Sequence, residues 1–401
     1  MGFMEKLFTR NYMFVVFANF LIAYGFWLLI PVLPFYLKET YGCEEVILGI
    51  ILSCYTVSEF CVRPFSGYLM DSFPRKPIFI ACYFICSCIF LGYILAGTLT
   101  MFIILRTLHG VFFGGVSVGS NTLVVDVMPS SRRGEGLGYY GLTNNFAMAL
   151  GPMTGLFLYG HLGYQAVFIA GLLSCIVGMT FGSLVKTKFR PPVKRPPVSL
   201  DRFILVKGLP VSLSLLCLSI PYGATTNYVA MYAGEIGITV PAGYFFTLTA
   251  LGMGISRIFA GRKVDKGYVT RCIKAGCFPV ILAFTMLGMC NFIVPVSVEA
   301  ANTVYLITAF VFGFGFGIIF PAMNSLYINL APKTRRATAT STYLTAWDVG
   351  LGIGIATGGF IAHLLSFYMV YVLGAVLCVF SLVFFTAYVT PHYERNKVVN
   401  N

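Results

Sequence analysis

The chain has 401 residues, 58% of them apolar and only 10% charged, with a formal net charge of +13. A soluble domain is about 45–50% apolar and about 25% charged, so this composition excludes one and indicates a membrane protein. Of the 12 cysteines only Cys43 falls outside apolar stretches or their edges, which excludes a disulfide-stapled secreted scaffold.

Twelve apolar stretches follow one another: 12–37, 46–70, 77–97, 100–128, 136–160, 164–186, 203–232, 241–263, 271–294, 301–331, 336–360 and 366–390. Each has about the 20 residues that cross a bilayer core about 30 Å thick. Lipid offers backbone N–H and C=O groups no partner, and the stretches are too long and uniformly apolar for barrel strands, so they are expected to be helices. The first is too long for the apolar core of a signal peptide and lacks a small-x-small cleavage pattern, so it is expected to stay as the first span.

In chain order, the first stretch carries Asn19, Tyr24 and Trp27 and ends in PVLP (31–34). The second contains Glu59 and then RPFSGYLMD (63–71), in which Arg63, Gly67 and Asp71 are spaced by four along one helix face. Glu59 precedes Asp71 by twelve residues, about 18 Å at 1.5 Å per residue, which sets it near the membrane midplane. A carboxylate there costs at least about 2.5–3.5 kcal/mol to insert and is a candidate proton carrier; a static pair with Arg63, four residues on, is the alternative. Gly67 permits close approach of another helix, and Asp71 ends the helix at the membrane surface.

The fourth stretch holds Arg106, His109, Gly110, Gly114 and, near its end, Asp126, positioned to pair with Arg75 or Arg63. His109 reads as a packing residue. The fifth holds Asn145 and GPMTG (151–155), with Gly151, Pro152 and Gly155. After the sixth, KTKFRPPVKRPPVSLDRF (186–203) has four prolines and a basic run, and reads as a linker between two six-helix halves. The expected division is 1–185 and 203–390 for the halves, 186–202 for the linker and 391–401 for a tail.

The halves repeat. RIFAGRKVD (257–265) echoes 63–71 at an offset of 194, so that Arg257, Gly261 and Asp265 mirror Arg63, Gly67 and Asp71. At an offset of 203, Gly110 and Gly114 meet Gly313 and Gly317, and Asp126 meets Asn329. The seventh stretch supplies Tyr222, Asn227 and Tyr228, the tenth Asn324, and the eleventh Asp348 beside Trp347. Asp348 is as deep as Glu59, with static packing against a hydroxyl as its alternative, and its repeat mate is Asn145.

Of the 27 Lys and Arg residues only Lys38 lies in an outer loop, and three (Arg63, Arg106 and Arg257) lie within stretches, if the N-terminus is cytoplasmic. That asymmetry implies an N-in, C-in topology and accounts for the net charge without nucleic acid.

These features resemble the Major Facilitator Superfamily across residues 10 to 390. GYLMDSFPRK (67–76) is similar to its signature between helices 2 and 3, GRKVDKG (261–267) to the second-half echo, RTLHGVFFG (106–114) to the helix 4 signature, and ALGPMTG (149–155) to the helix 5 signature of exporters. Ser72, Pro74, Ala147 and Leu156 depart from these patterns. The resemblance implies a twelve-helix, all-α fold of two pseudo-symmetric bundles, most like proton-driven sugar and drug efflux permeases. It implies alternating access driven by a proton as coupling ion, with no cofactor or metal, in a monomer of the bacterial cytoplasmic membrane.

By the same resemblance Arg106 faces the cavity and influences coupling; snorkelling to the outer surface is its alternative. Arg63, Gly67, Asp71, Arg75 and Asp126, with Arg257, Gly261 and Asp265, would form gates, while Gly110, Gly114, Gly151, Pro152 and Gly155 pack helices. Asn19, Tyr24, Trp27, Asn145, Tyr222, Asn227, Tyr228 and Asn324 would line a cavity for a small sugar-like or drug-like organic solute, although tyrosines and tryptophans also anchor helices at interfaces. Uptake of a sugar or other nutrient with protons is the alternative direction. HExxH, Ser/Lys, paired-Asp and Walker patterns are absent from the sequence, which argues against an intramembrane enzyme or sensor.

Overall fold

The computed structural model describes residues 6–129, 133–187, 204–331 and 336–398. The helices are α1 (Arg10–Leu29), α2 (Leu33–Tyr41), α3 (Glu45–Ser72), α4 (Arg75–Leu95), α5 (Leu99–Val127), α6 (Arg133–Leu162) and α7 (Tyr164–Leu184). The second half has α8 (Leu209–Ile236), α9 (Gly243–Asp265), α10 (Val269–Ile293), α11 (Val298–Asn329), α12 (Arg336–Leu364), α13 (Phe367–Phe384) and α14 (Thr390–Asn396). Among the described residues there is no strand, and ten helices are long and apolar enough to cross a membrane.

The first apolar stretch is not one helix. Pro31 and Pro34 remove two N–H donors, so the chain turns at 30–32 and restarts as α2. The seventh opens with a short 3-10 turn (Val206–Gly208) before α8. The last continues through a π turn (Phe385–Val389) into α14. Side-chain caps begin several helices: Thr9 accepts from the Tyr12 amide, Thr98 from Met101 and Ser297 from Ala300. Gly237, at φ 89°, ends α8 in the left-handed conformation that only glycine adopts without strain. All 12 cysteines are free thiols.

The described chain divides into two units, residues 1–36 with 54–196 and residues 37–53 with 197–401. In the first, α1 packs on α6 and α7, and α4 on α5 and α7. In the second, α11 packs on α9 and α10, and α8 on α12 and α13.

The same glycine contacts recur in both units. A Cβ on Gly110 of α5 would overlap the Tyr55 carbonyl of α3, and one on Gly313 of α11 would overlap the Thr249 carbonyl of α9. Tyr55 and Thr249 are repeat mates, separated by 194. Four residues on, Gly114 rests on Glu59 and Gly317 on Met253, again repeat mates. Likewise, Gly151 of α6 presses on Trp27 and Leu28 of α1, while Gly354 of α12 presses on Ile220 of α8. The sequence repeat is therefore a repeat of helix crossings, in which small residues let backbones meet.

Candidate functional site

The repeated crossings carry different side chains in the two units. In the first, Glu59 is buried and accepts a 2.7 Å hydrogen bond from Arg63 Nη2, one turn further along α3. The expected partner of Glu59 is thus in place, in a spot too apolar for either charge alone. Arg75, at the start of α4, grips Asp126 of α5 with Nη1 at 2.8 and 2.7 Å from the two carboxylate oxygens, and its Nε donates to the Met70 carbonyl at 3.1 Å. Of the two partners the sequence offered Asp126, Arg75 is therefore one that binds it.

Arg106 is not at the outer surface. It is 1% exposed, its guanidinium lies 4.4 Å from the centre of the Tyr55 ring, and its Nε and Nη1 have no hydrogen-bond partner. A cation over an aromatic face gains part of what it loses on leaving water. The Tyr93 hydroxyl lies 3.0 Å from His109 Nδ1. Sequence reasoning missed this network: Tyr55 and Tyr93 gave no signal, and His109, read as packing, is fully buried and one turn from Arg106. That i, i+3 spacing was the available clue.

Asn19, Tyr24 and Trp27 are tied to α6. Asn19 donates to Thr143 at 3.0 Å and Asn144 at 3.2 Å and accepts from Tyr140 at 2.7 Å, while Tyr24 and Thr154 hydroxyls lie 2.7 Å apart. Gly151 and Gly155 bring α6 onto the backbone of Trp27 and Leu28, and Pro152 sits inside α6 between them. The amide of Asn19 has little capacity left for a solute.

In the second unit the charged network is absent from the corresponding crossing. Glu59 is replaced by Met253, and Arg106 by Ala309, whose carbonyl accepts from Thr249 at 3.1 Å. Aromatic rings take over the interior. Tyr222 of α8 has its ring 4.8 Å from Phe316, 5.4 Å from Phe312, 5.8 Å from Phe320 and 4.9 Å from Trp347. Phe320 and Trp347 meet edge to face at 4.6 Å. Asp348, next to Trp347, is 6% exposed and within electrostatic reach of Tyr343.

Arg257 lies within such reach of both Tyr222 and Tyr343, and its Nε has no hydrogen-bond partner. Asn324 also has a buried, unpartnered Oδ1. Tyr228 donates to the Ile355 carbonyl of α12 at 3.0 Å and so joins two helices, whereas Asn227 donates to the Gly223 carbonyl of its own helix at 3.0 Å and its buried Oδ1 has no hydrogen-bond partner among the described residues. A Cβ added at Gly261 would meet nothing within 4 Å among the described residues. The side chains of Gly67, Asp71, Asn145 and Asp265 lie outside the described residues.

Long apolar helices whose crossings repeat in the two units, with guanidinium and carboxylate groups buried among them, define a polytopic membrane protein. The Major Facilitator Superfamily model matches residues 15–355 and 280–401, and the chain belongs to that family. It is 23% identical over 386 residues to the multi-drug resistance efflux pump PmrA of Streptococcus pneumoniae, covering 92% of this chain and 93% of the pump. It is 20% identical over 361 residues to the staphylopine export protein of Staphylococcus aureus, covering 87% and 89%. Among solved structures, an auto-inhibited peptide transporter of the POT family superposes with a TM-score of 0.76 at 12% identity, covering 98% of each chain.

Proposed function

We propose that this protein is a twelve-span, N-in and C-in exporter of the bacterial cytoplasmic membrane, acting as a monomer and exchanging protons for a sugar-like or drug-like organic solute by alternating access. The observation that carries the coupling is the Glu59–Arg63 pair, which sets a buried carboxylate, the group that would take up the proton, against a guanidinium in an apolar surrounding. Protonating Glu59 releases Arg63, so the two protonation states favour different arrangements of the groups around them. Asp348 is the second candidate carrier. Twelve helices of 18 residues or more among the described residues support the span count, and the Lys and Arg distribution supports the orientation. Export is supported by the two relatives whose names say that they pump solutes out.

The test is transport in proteoliposomes under an imposed pH gradient, with sugars and drug-like amphiphiles screened in both directions. Solute should move against the proton flow and stop when a protonophore collapses the gradient. Movement in the same direction as protons replaces export by uptake, and indifference to the gradient removes proton coupling.

A further inference from the structure

Residues 37–53, which include the first turns of α3, belong to the second unit, whereas α3 from residue 54 onward belongs to the first. Close backbone contact holds them there. A Cβ on Gly359 of α12 would overlap the Glu45 carbonyl, and one on Gly49 of α3 would press on the Ala356 carbonyl. Residue numbers rise along α3 as they fall along α12, so the two helices are antiparallel and the first turn of α3 meets the last turn of α12.

That last turn carries His363, and the first turn of α3 carries Glu45. Glu44 comes just before, its carbonyl accepting from the Leu48 amide at 2.9 Å. His363 Nδ1 lies 3.6 Å from Glu45 Oε2, and its Nε2 lies 3.9 Å from Glu44 Oε2. The other Glu45 oxygen accepts from Lys38 Nζ of α2 at 2.8 Å. Both ring nitrogens therefore face carboxylate oxygens, which only accept when ionised. A neutral imidazole turns a lone pair toward one of them, while the imidazolium has an N–H for each. The helix ends favour the same charges, a cation at the C-terminus of α12 and carboxylates at the N-terminus of α3.

The elements packed here bring other titratable groups to this end: Glu39 and Tyr41 of α2, Tyr228 and Glu235 of α8, Glu299 of α11 and Tyr368 of α13. The Cys43 thiol, between α2 and α3, is pushed up by desolvation. Of these side-chain types, an imidazole is the one that ordinarily changes charge between about pH 5 and 8. The His363 and Glu45 side chains are 39% and 20% exposed, so protons in the medium reach them and the pairing is of moderate strength.

We propose that His363, Glu44 and Glu45 form a latch that holds the start of α3 against the end of α12 while the outer medium is acidic, and releases it as the pH rises. The charge pairing is complete with His363 protonated and is lost on deprotonation. This rests on the alternating-access reading above, whose topology puts this end outside, and adds regulation by outer pH. The same helix carries Glu59 about four turns further on, so release of its first turn acts on the element that holds the candidate proton carrier.

Spin labels at Thr40→Cys and Leu365→Cys, both exposed and outside the cluster, measure the separation of α2 from the end of α12 by pulsed electron paramagnetic resonance. Cys54, Cys61, Cys82 and Cys88, the four cysteines that are not buried, are replaced by serine. In detergent without solute, the ratio of short to long distances should be about two- to fivefold higher at about pH 5.5 than at about pH 8. His363→Gln should remove this pH dependence, and His363→Lys, which keeps its charge, should hold the short distance at both pH values. His161→Gln should leave the response intact, because His161, the other exposed histidine, meets the Phe157 carbonyl at 2.9 Å. Distances that ignore pH, or that respond equally in His363→Gln, overturn the latch. If the latch titrates while proteoliposome transport is indifferent to a pH gradient, the proton-coupled reading fails and the latch stands. If gradient-driven transport proceeds while the distances ignore pH, the latch alone fails.

Discussion

Two guanidinium groups inside the helices are accommodated differently. Arg63 is held by Glu59 one turn away, and the guanidinium of Arg106 lies over the Tyr55 ring. Removing one member of such a pair leaves the other charge stranded, so substitution reports on both proton transfer and stability. Glu59→Gln retains shape and hydrogen-bonding capacity but cannot lose a proton. If Glu59 carries the proton, the variant abolishes gradient-driven transport and preserves solute exchange at equal pH on both sides. Loss of both activities together with a lowered unfolding temperature assigns Glu59 to a static pair with Arg63. Tyr93→Phe removes the hydroxyl that meets His109 Nδ1. It should cost about 1–3 kcal/mol, because a buried polar group of His109 then goes unpaired, and chemical denaturation in detergent measures it.

At the scale of elements, the crossings of α5 on α3 and of α11 on α9 depend on having no side chain at Gly110 and Gly313. Gly110→Ala inserts a methyl where the Tyr55 carbonyl already is, so the helices must separate. Overpacking of this kind costs about 1–3 kcal/mol. Gly254, in α9, has open space around its Cβ position, and alanine there removes backbone freedom from the unfolded chain. Gly254→Ala should stabilise by about 0.5–1 kcal/mol, the difference between glycine and alanine inside a helix. Opposite shifts in thermal unfolding of the two single variants are the expected result; a stabilised Gly110→Ala protein contradicts the packing described.

At the scale of the whole molecule, the distribution of basic residues leads to an expected N-in, C-in orientation. An epitope inserted in the 186–202 linker should be reached by antibody only in permeabilised cells. One inserted at Ala96–Thr98 between α4 and α5, or near Val294–Ser297 between α10 and α11, should be reached on intact cells. The reverse pattern inverts the topology. This expectation rests on sequence alone, because positive charge resists translocation wherever the helices eventually pack.

The sequence by itself determined that the chain is a helical membrane protein, duplicated, with its family signatures in register. These properties are local or periodic: apolar length fixes a span, and a constant offset fixes a repeat. It also offered Arg63 as the alternative partner of Glu59, since residues four apart on a helix are neighbours. The tertiary structure alone decided that Arg75 holds Asp126, that Tyr55 covers Arg106 while Tyr93 meets His109, and that Asn19 is consumed by α6. It likewise showed that Tyr222 packs among Phe312, Phe316, Phe320 and Trp347. These are contacts between helices whose rotation about their own axes depends on every side chain between them, and no spacing along a single segment encodes that rotation.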